Sequence, residues 1–491
     1  MWLAAILFLC ILALLIYLDT RKPKNFPPGP AWLPIVGSAL TLHLLRRSTG
    51  YLYKATAELA RQYGPVVGLK VGKDRIVVLH SHQAIRDMMS REEFDGRPTG
   101  LFYETRTWGV RRGVLLTDEE FWQEQRRFVL RHLREFGFGR RTMAQMVEEE
   151  AAHMVAALRA RAGSVLPMHD AFGVYVLNTL WSMMAGVRYS ADDTELKKLQ
   201  GLLSELFANI DMVGSLFSQF PLLRFLAPEL SGYKQFLFIH HKLWKFLKAE
   251  LDRHKKTFTP DYSRDFMDVY LHMLASEHRK PSFSELQLLA ICLDMFIAGS
   301  ETTAKSLGFG LLYMLLYPEV QRKVQAEVDS VVGRDRLPTL ADRPNMPYTE
   351  ALVLECLRMF IGRSFAIPHR ALKDTELQGY FIPKGTMVVT NLNGAHMSSQ
   401  LWDEPQHFRP ERFLDEQGRV TVPDYYTPFG IGRRRCMGDA MAKANMFVFL
   451  ASLLQNFTFA VPPGQAPPCS EGLDGATPAP KPFEALVLPR S

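Results

Sequence analysis

The spacing of hydrophobic residues changes several times along the chain, and each change predicts a different kind of element. Residues 2–18 are continuously apolar, which predicts a helix at the short limit of what crosses a bilayer. Residues 63–81 form two β-rich runs around a turn, which predicts a hairpin. From about 117 to 335 the apolar positions recur with a period near 3.6, which predicts helices. Short strands, turns and prolines follow from about 363, up to a last helix predicted over 439–456.

One helical segment, residues 286–316, is longer and more apolar than a surface helix normally is. A second membrane span would have a similar composition. Asp294, Glu301 and Lys305 interrupt the segment, however, and this favours a buried central helix. The pattern as a whole contains no internal repeat. It predicts one large, mainly α-helical domain with a smaller β portion.

The apolar segment 2–18 has two interpretations. Its length also suits the core of a cleaved secretory signal. An uncleaved anchor is favoured because no basic segment precedes the run and no small-residue cleavage site follows it. Arg21, Lys22 and Lys24 come directly after it, and such a flank prefers the cytoplasmic side of a membrane. The body of the protein is therefore expected to face the cytosol.

The segment after the anchor is rich in proline. Prolines restrict the backbone and prevent the helix from continuing, so residues 21–37 predict a stiff, extended connector. A proline-rich ligand for another domain would look similar, but the position just past the anchor favours the connector. The predicted organisation is an anchor over 1–20, the connector over 21–37 and one folded domain over 38–491.

Composition excludes several classes of protein. With 58 Lys and Arg against 51 Asp and Glu, the net charge of +7 is small for 491 residues and forms no long basic run. Nucleic acid is therefore not an expected partner, whereas a membrane surface or an acidic protein fits better. The five cysteines are odd in number, widely spaced and without a Cys-x-x-Cys pair. This argues against a disulfide framework or a zinc site, and for a reducing compartment.

The segment PFGIGRRRCMGDAMAKANMF, residues 428–447, places a cysteine where it could act as a ligand. Cys436 follows a loop that contains Gly430 and Gly432, and an amphipathic helix is predicted to begin just after it. A helix N-terminus stabilises a thiolate through N–H donors and a positive dipole, and glycines let the backbone approach a large flat cofactor. A lone cysteine is more often an inert small hydrophobic residue, so the surrounding spacing decides.

The segment FGIGRRRCMG resembles the haem-binding loop of the cytochrome P450 family. Phe429, Gly432, Arg434, Cys436 and Gly438 stand at the defining positions. The resemblance implies the cytochrome P450 fold and a haem b cofactor (iron protoporphyrin IX), with the Cys436 sulfur as the ligand of the iron. Thiolate ligation favours cleavage of the O–O bond, so the resemblance also implies a monooxygenase.

Two further motifs are structural in that family. Glu355 and Arg358 in ECLR lie three residues apart on a predicted helix and can pair, which by itself is commonplace. In the family this E-x-x-R pair is buried and contacts an arginine of a P-E-R-F segment. The resemblance therefore implies Arg412 as the third member. The three residues are expected to hold the core around the cysteine loop.

The segment AGSETT, residues 298–303, lies inside the long apolar helix. Taken alone, it predicts a buried helix with a packing glycine and a local bend. Its resemblance to the family's A-G-x-(D/E)-T-T signature implies instead that Glu301 and Thr302 line the oxygen pocket. Thr302 would then help to deliver protons to dioxygen, with water as the relay.

Five residues are implied to hold the haem propionates. WQEQRR places Trp122 and Arg126 on one helix face, and it resembles the family's W-x-x-x-R motif. An arginine beside an aromatic residue is usually only surface packing. The same resemblance adds Arg97 in FDGRP, His369 in IPHR and Arg434. The forked guanidinium of arginine suits a carboxylate.

The resemblance also implies partners. No G-x-G-x-x-G segment lies between a predicted strand and a helix, and no length remains for a flavin domain. NADPH is therefore expected to act through a separate protein, NADPH–cytochrome P450 reductase. Arg433, Arg434 and Arg435 could form a positive docking surface for it, or be a solvated charge run. The order of the motifs is similar to that of microsomal members, which implies the endoplasmic reticulum membrane.

The expected substrate is a lipophilic small molecule. Residues 204–230, here called the access segment, are rich in Phe and Leu and fall where the family has its substrate-access helices; an apolar core or a membrane-dipping surface would have the same composition. DTRKPKNFPPGP and FDGRPTGLFYETRTWG most resemble insect members that epoxidise methyl farnesoate in juvenile hormone synthesis. Hydroxylation of a steroid, fatty acid or foreign lipophile is the alternative. Other classes are a haem-dependent isomerase or dehydratase, a carrier of hydrophobic ligands, and a transmembrane binding protein without haem.

Overall fold

The computed structural model describes residues 2–210 and 215–490. Met1 of the predicted anchor, residues 211–214 of the access segment and Ser491 of the predicted domain lie outside the described residues. The α-helices are α1 (Trp2–Thr20), α2 (Ala39–Thr49), α3 (Leu52–Tyr63), α4 (His82–Met89), α5 (Leu101–Thr105), α6 (Glu119–Glu135), α7 (Arg141–Arg159), α8 (Gly173–Ala185), α9 (Thr194–Asn209), α10 (Leu216–Gln219), α11 (Leu223–Leu226), α12 (Tyr233–Thr257), α13 (Phe266–Ala275), α14 (Glu285–Leu316), α15 (Pro318–Val331), α16 (Pro347–Ile361), α17 (Asn393–His396) and α18 (Asp439–Asn456). The strands are β1 (Val66–Val71), β2 (Asp74–Leu79), β3 (Val165–Pro167), β4 (His369–Arg370), β5 (Thr375–Leu377), β6 (Tyr380–Ile382), β7 (Met387–Thr390), β8 (Phe457–Ala460), β9 (Gly472–Leu473), β10 (Ala479–Pro480) and β11 (Glu484–Pro489).

The long helix α14 runs through the core. A helix that is apolar around most of its circumference must be covered on all sides, and α8, α12, α16 and α18 pack against it. The side chain of Ser284 caps its first turn by accepting a hydrogen bond from the Gln287 N–H at 3.2 Å. By length and composition α14 could cross a membrane, but 78% of its most apolar window is buried. The predicted buried central helix is confirmed.

Helix α1 is apolar, with a mean hydropathy of 2.5, and none of its described residues is buried. By length and composition it could cross a membrane, and a signal sequence would meet the same criteria. Its end is tied to the domain, because the Asp19 side chain forms a salt bridge with Lys70 of β1 and accepts a hydrogen bond from the Ile35 N–H at 2.8 Å. The domain therefore holds the base of α1 close to β1.

The predicted connector lies on the surface of the domain. Phe26 and Trp32 are buried and meet edge to face, with ring centroids 5.6 Å apart. The Gly68 N–H of β1 donates to the Pro28 carbonyl at 2.8 Å. At Gly29 a Cβ atom would meet the Gly68 oxygen at 2.0 Å, so the two backbones approach as closely as glycine allows. Residues 26–32 are thus packed against the sheet.

The largest sheet has the order β1-β2-β7-β4. The predicted hairpin is confirmed as β1 and β2, which pair antiparallel from Val66↔Leu79 to Val71↔Asp74. β7 pairs parallel with β2, and β4 pairs antiparallel with β7, so that His369 lies opposite Val388. A three-stranded sheet has the order β3-β11-β8. Strand β11 is therefore the middle strand of this sheet, and it lies between β8 and a strand from far earlier in the chain.

Candidate active site

The cysteine loop leads directly into α18, which begins at Asp439, as predicted. The Cys436 N–H donates to the Phe429 carbonyl at 3.0 Å, which closes the loop on itself. Gly432 has a φ of +71°, and a Cβ atom there would meet the Met89 oxygen at 2.2 Å. A residue with a side chain would therefore strain this turn. The Cys436 side chain stays exposed at the end of the loop.

Opposing effects act on the Cys436 thiol. Desolvation by the surrounding protein raises its pKa, and the charge of Asp439 adds to this; the Gly438 N–H and the positive charges of Arg126 and Arg435 offset only part of the rise, so the pKa is raised without a bound cation. Positive neighbours and a helix N-terminus are the surroundings that stabilise a thiolate. The sulfur therefore combines an accessible side with nearby positive groups, which suits a ligand of a metal cation.

Trp122, Arg126 and Arg434 meet beside this loop. The Arg434 guanidinium lies 3.6 Å from the centroid of the Trp122 ring, and the Arg126 guanidinium lies 5.5 Å from it. Arg126 also donates to the Arg435 carbonyl at 2.8 Å. Helix α6 is thereby fastened to the residue next to Cys436. The sequence motif on α6 and the cysteine loop form one site.

Arg97 and His369 join the site through contacts between two distant segments. Arg97 Nη1 donates to the Ile367 and Pro368 carbonyls at 3.0 and 2.9 Å. His369 Nδ1 lies 2.7 Å from the Phe94 oxygen. The segment 94–97 and the segment 367–369 are therefore joined in both directions, because the basic side chain of each contacts a backbone carbonyl of the other. Burial lowers the pKa of His369 well below its ordinary value, and the charge of Arg97 lowers it further. The imidazole is therefore neutral near pH 7.

The positive charge of the site is only partly compensated: the carboxylates of Asp95 and Asp118 raise the pKa of Arg97 and Arg434 but form no salt bridge with them. Arg97, Arg126 and Arg434 make no salt bridge to any carboxylate of residues 2–210 and 215–490. Burial lowers the pKa of Arg434 to about 8 and that of Arg97 to about 10, and the charge of Arg126 lowers both. The buried Arg97 Nε and Arg434 Nη2 atoms have no hydrogen-bond partner. Burying a charge without a partner costs free energy. Bound anions would offset that cost here, and the two propionates of a haem are anions of a suitable kind.

Asp118 organises this cluster and was not predicted. Its carboxylate accepts hydrogen bonds from the Arg97 N–H, Arg111 Nη2 and Arg370 Nη2 at 2.9, 2.9 and 2.7 Å. Burial alone would raise its pKa, but these hydrogen bonds lower it to about 2. An aspartate just before a helix usually reads as an N-cap, yet Asp118 makes no side-chain capping bond to α6. Nothing local in the sequence indicated its long-range partners.

The residues of the predicted oxygen pocket lie on α14 and face different neighbours. Ala298 and Thr302 are exposed although their helix is otherwise mostly buried, so α14 borders an internal space here. The Thr302 hydroxyl donates to the Ala298 carbonyl at 3.0 Å. The Glu301 carboxylate is only 4% exposed and accepts a hydrogen bond from Ser204 of α9. The structure therefore does not bring the Glu301 carboxylate and the Thr302 hydroxyl into contact.

The three predicted structural residues meet in the core. Arg358 donates to both carboxylate oxygens of Glu355, at 2.7 and 2.8 Å, and both side chains are fully buried. Arg412 Nε reaches the same carboxylate at 3.1 Å. Arg358 also donates to the His396 carbonyl at 2.8 Å, and the His396 ring accepts a hydrogen bond from the Thr427 N–H at 3.3 Å. This chain of contacts runs from the ion pair to the start of the cysteine loop.

The arginine run beside Cys436 divides between inside and outside. Arg434 stacks on Trp122 within the site. Arg433 and Arg435 are exposed, and they pair with Glu92 at 2.7 Å and with Asp439, respectively. The exposed face beside the cysteine therefore offers two arginines to a partner, each already paired, rather than three.

The domain is mainly helical, and its site places the sulfur of Cys436 beside a cluster of arginines. Residues 27–487 match the cytochrome P450 family, and the chain belongs to it. It is 46% identical to probable cytochrome P450 303a1 of Drosophila melanogaster, with 99% of this chain and 98% of that protein covered. It is 36% identical to farnesoate epoxidase of Bombyx mori over the same shares, and 34% identical to cytochrome P450 2J1 of Oryctolagus cuniculus over 97% and 93%. The protein is therefore an enzyme of the monooxygenase type, and its family implies haem.

Proposed function

We propose that the protein inserts one oxygen atom of O2 into a lipophilic substrate that reaches the site from a membrane. The observation that supports this most is the exposed Cys436 sulfur beside three arginines without a salt bridge in the described part of the chain, of which Arg97 is buried and Arg126 and Arg434 are half-buried. Cys436 would ligate the iron, while Arg97, Arg126 and Arg434 would bind the propionates, with Trp122 and His369 beside them. Haem supplies the oxidising chemistry when bound: O2, two electrons and two protons leave one oxygen atom in the substrate and one in water.

The protein's own part in this reaction is to orient the substrate, exclude water and supply protons. Thr302 is the hydroxyl that α14 exposes to the internal space, and it can accept a proton from one side and donate one to the other. Glu301, one residue before it, is a carboxyl group whose pKa is raised by burial. A raised pKa brings a carboxyl group closer to the working pH of a proton donor. The two residues form the proposed proton-delivery pair.

Electrons are proposed to come from NADPH through a separate cytochrome P450 reductase. The exposed arginines Arg433 and Arg435 lie on the cysteine side of the domain. An acidic flavin domain could exchange its carboxylates for Glu92 and Asp439 as their partners. This docking would bring the electron donor to the side of the site where the sulfur lies.

Helix α1 is proposed to anchor the enzyme in the endoplasmic reticulum membrane, with the domain on the cytosolic side. Residues of the access segment support contact with lipid, since Leu226 and Leu230 are 77% and 84% exposed. Next to them a cavity of about 460 Å³ lies between α2, α9, α10 and α12, and it is lined by Leu42, Val71, Leu206 and other side chains. Its volume is within the range of small-molecule pockets. None of the proposed haem-site residues lines it, so it is proposed as an entrance.

The specific reaction we propose is the epoxidation of methyl farnesoate. Its support is the 36% identity to the farnesoate epoxidase of Bombyx mori across nearly the whole of both chains. Hydroxylation of another lipophile is the second candidate, because the Drosophila melanogaster relative is more similar, at 46%, and its name contains no substrate. A haem-dependent isomerase or dehydratase would need neither O2 nor NADPH.

The test is turnover of the purified, membrane-reconstituted protein with reductase, NADPH and ¹⁸O2. The panel comprises methyl farnesoate, a steroid and a fatty acid, and the products are identified by mass spectrometry. One ¹⁸O atom in an epoxide of methyl farnesoate is expected. One ¹⁸O atom in a product of the steroid or the fatty acid would show that the substrate is not methyl farnesoate, but it would still support oxygen insertion as the class of reaction. Substrate conversion that continues without NADPH and O2 would contradict the proposal.

A further inference from the structure

Ser204 reaches from α9 to the central helix α14. Its hydroxyl lies 3.0 and 3.2 Å from the two carboxylate oxygens of Glu301. Because Glu301 is only 4% exposed, this hydroxyl takes the place of water as its hydrogen-bond donor. Lys305, one helical turn further along α14, has its Nζ atom 4.0 Å from the carboxylate, at the outer limit of a salt bridge.

The Glu301 carboxylate is weakly supported for a buried anion. An ionised carboxylate offers about four acceptor positions, yet among the described residues only Ser204 donates a hydrogen bond to it and only Lys305 pairs with it. Burial raises the pKa of Glu301, while the charge of Lys305 and the hydrogen bond from Ser204 lower it. Each of the two groups therefore influences whether Glu301 holds a proton.

We propose that Ser204 is a positioning residue for oxygen insertion: its hydroxyl sets the orientation and charge state of the Glu301 carboxylate, from which protons pass by way of water to Thr302, the next residue of α14. This inference rests on the proposed function. Leu206, two residues along α9, lines the cavity proposed as the entrance. The hydrogen bond thus links the helix that borders the entrance to the residue that handles protons.

The direct test is the charge state of Glu301 in Ser204→Ala. Infrared difference spectra of the haem-loaded ferric protein, recorded against pH, report the carboxyl C=O band of Glu301, which is identified by its absence in Glu301→Gln. The midpoint is expected to rise by about one pH unit, a tenfold change in proton affinity, because a hydrogen bond to a charged group is of that order. Ser204→Thr keeps a hydroxyl and is expected to restore the midpoint.

Ser300→Ala is the matched control. Ser300 precedes Glu301 and is more deeply buried than the half-buried Ser204, but its hydroxyl donates to the Phe296 carbonyl of its own helix at 2.7 Å. Its removal deletes a buried hydroxyl without touching the carboxylate, so the Glu301 midpoint is expected to stay where it is. An unchanged midpoint in Ser204→Ala would overturn the inference, and so would an equal rise in Ser300→Ala.

The second readout is the yield of product per NADPH. If Glu301 is wrongly charged, two electrons and two protons convert O2 to hydrogen peroxide, so Ser204→Ala is expected to lose product several-fold and to release peroxide. In a Glu301→Gln background Ser204→Ala is expected to have no further effect, because the two residues act as one unit. The same several-fold loss in both backgrounds would overturn the inference. Failure of the wild type to consume NADPH and O2 would instead contradict the proposed function. The infrared midpoint of Glu301 would even then test the hydrogen bond from Ser204, because it does not depend on turnover.

Discussion

The substitution Arg358→Leu removes the central partner of the buried ion pair on α16. Arg358 and Glu355 are both fully buried and joined by two hydrogen bonds of 2.7 and 2.8 Å. Leucine leaves the Glu355 carboxylate in the core with two partners among the described residues, Arg412 Nε at 3.1 Å and the Arg409 N–H at 2.9 Å. It also deprives the His396 carbonyl of its donor.

Breaking a buried pair by removing one partner costs about 3–5 kcal/mol, because the other charge stays uncompensated. A folded domain is stable by only about 5–15 kcal/mol, so Arg358→Leu is expected to remove about a fifth or more of the free energy of unfolding. Arg412→Leu leaves the Arg358–Glu355 pair intact. Losing the charge-assisted hydrogen bond to Glu355 is expected to cost about 1.5–3 kcal/mol, and this is a lower limit because Arg412 also donates to the Asp403, Glu404 and His407 carbonyls.

The assay is urea unfolding followed by far-UV circular dichroism, with Arg419→Leu as the matched control. Arg419 also pairs with a carboxylate four residues away, Asp415, at 2.8 Å, but its side chain is 73% exposed. Exposed pairs contribute about 0–1 kcal/mol, so this variant is expected to unfold close to the wild type. Equal losses of stability in Arg358→Leu and Arg419→Leu would refute the reasoning.

Three further predictions concern the site and the anchor. Arg434→Leu is expected to speed haem loss to an acceptor protein by roughly tenfold or more, because a hydrogen bond to a charged group contributes about 1.5–3 kcal/mol. The control Arg433→Leu changes an exposed neighbour and should alter the rate of haem loss little. Equal rates in the two variants would contradict the role of Arg434 in binding a propionate. Thr302→Ala is expected to retain haem and consume NADPH but to release peroxide instead of product. An unchanged yield of product per NADPH would contradict the role of Thr302 in proton delivery. Deletion of residues 2–20 is expected to move the protein from the membrane pellet to the soluble fraction with its spectrum intact, and continued tight binding would show that α1 is not the main attachment.

Local patterns predicted the elements with strong periodicity. The hairpin of β1 and β2 follows from β-rich runs around a turn, and α14 follows from its length and apolar composition. The cysteine loop was predictable for a different reason, because its glycines and arginine stand at fixed short distances from Cys436. In each of these cases the determining residues are neighbours in the chain.

What the sequence did not predict depends on pairs far apart in the chain. Ser204 and Glu301 are separated by 97 residues, and nothing in the sequence around Ser204 marks it as a partner of that carboxylate. Asp118 binds Arg370 from 252 residues away. The chain end at β11 pairs with β3, where Leu486 lies opposite Val165. Such contacts follow from the packing of whole elements, which periodicity and motif spacing do not encode.

The central claim is that the Cys436 sulfur binds the haem iron, and the spectrum of the reduced, carbon monoxide-bound protein tests it most directly. A thiolate opposite carbon monoxide moves the Soret band strongly to the red, and the wild type is expected to show that band. Cys436→Ala should lose it, while Cys469→Ala, which removes another exposed cysteine, should keep it. A wild-type preparation that binds haem without the red-shifted band, or a Cys436→Ala protein that retains it, would contradict the account.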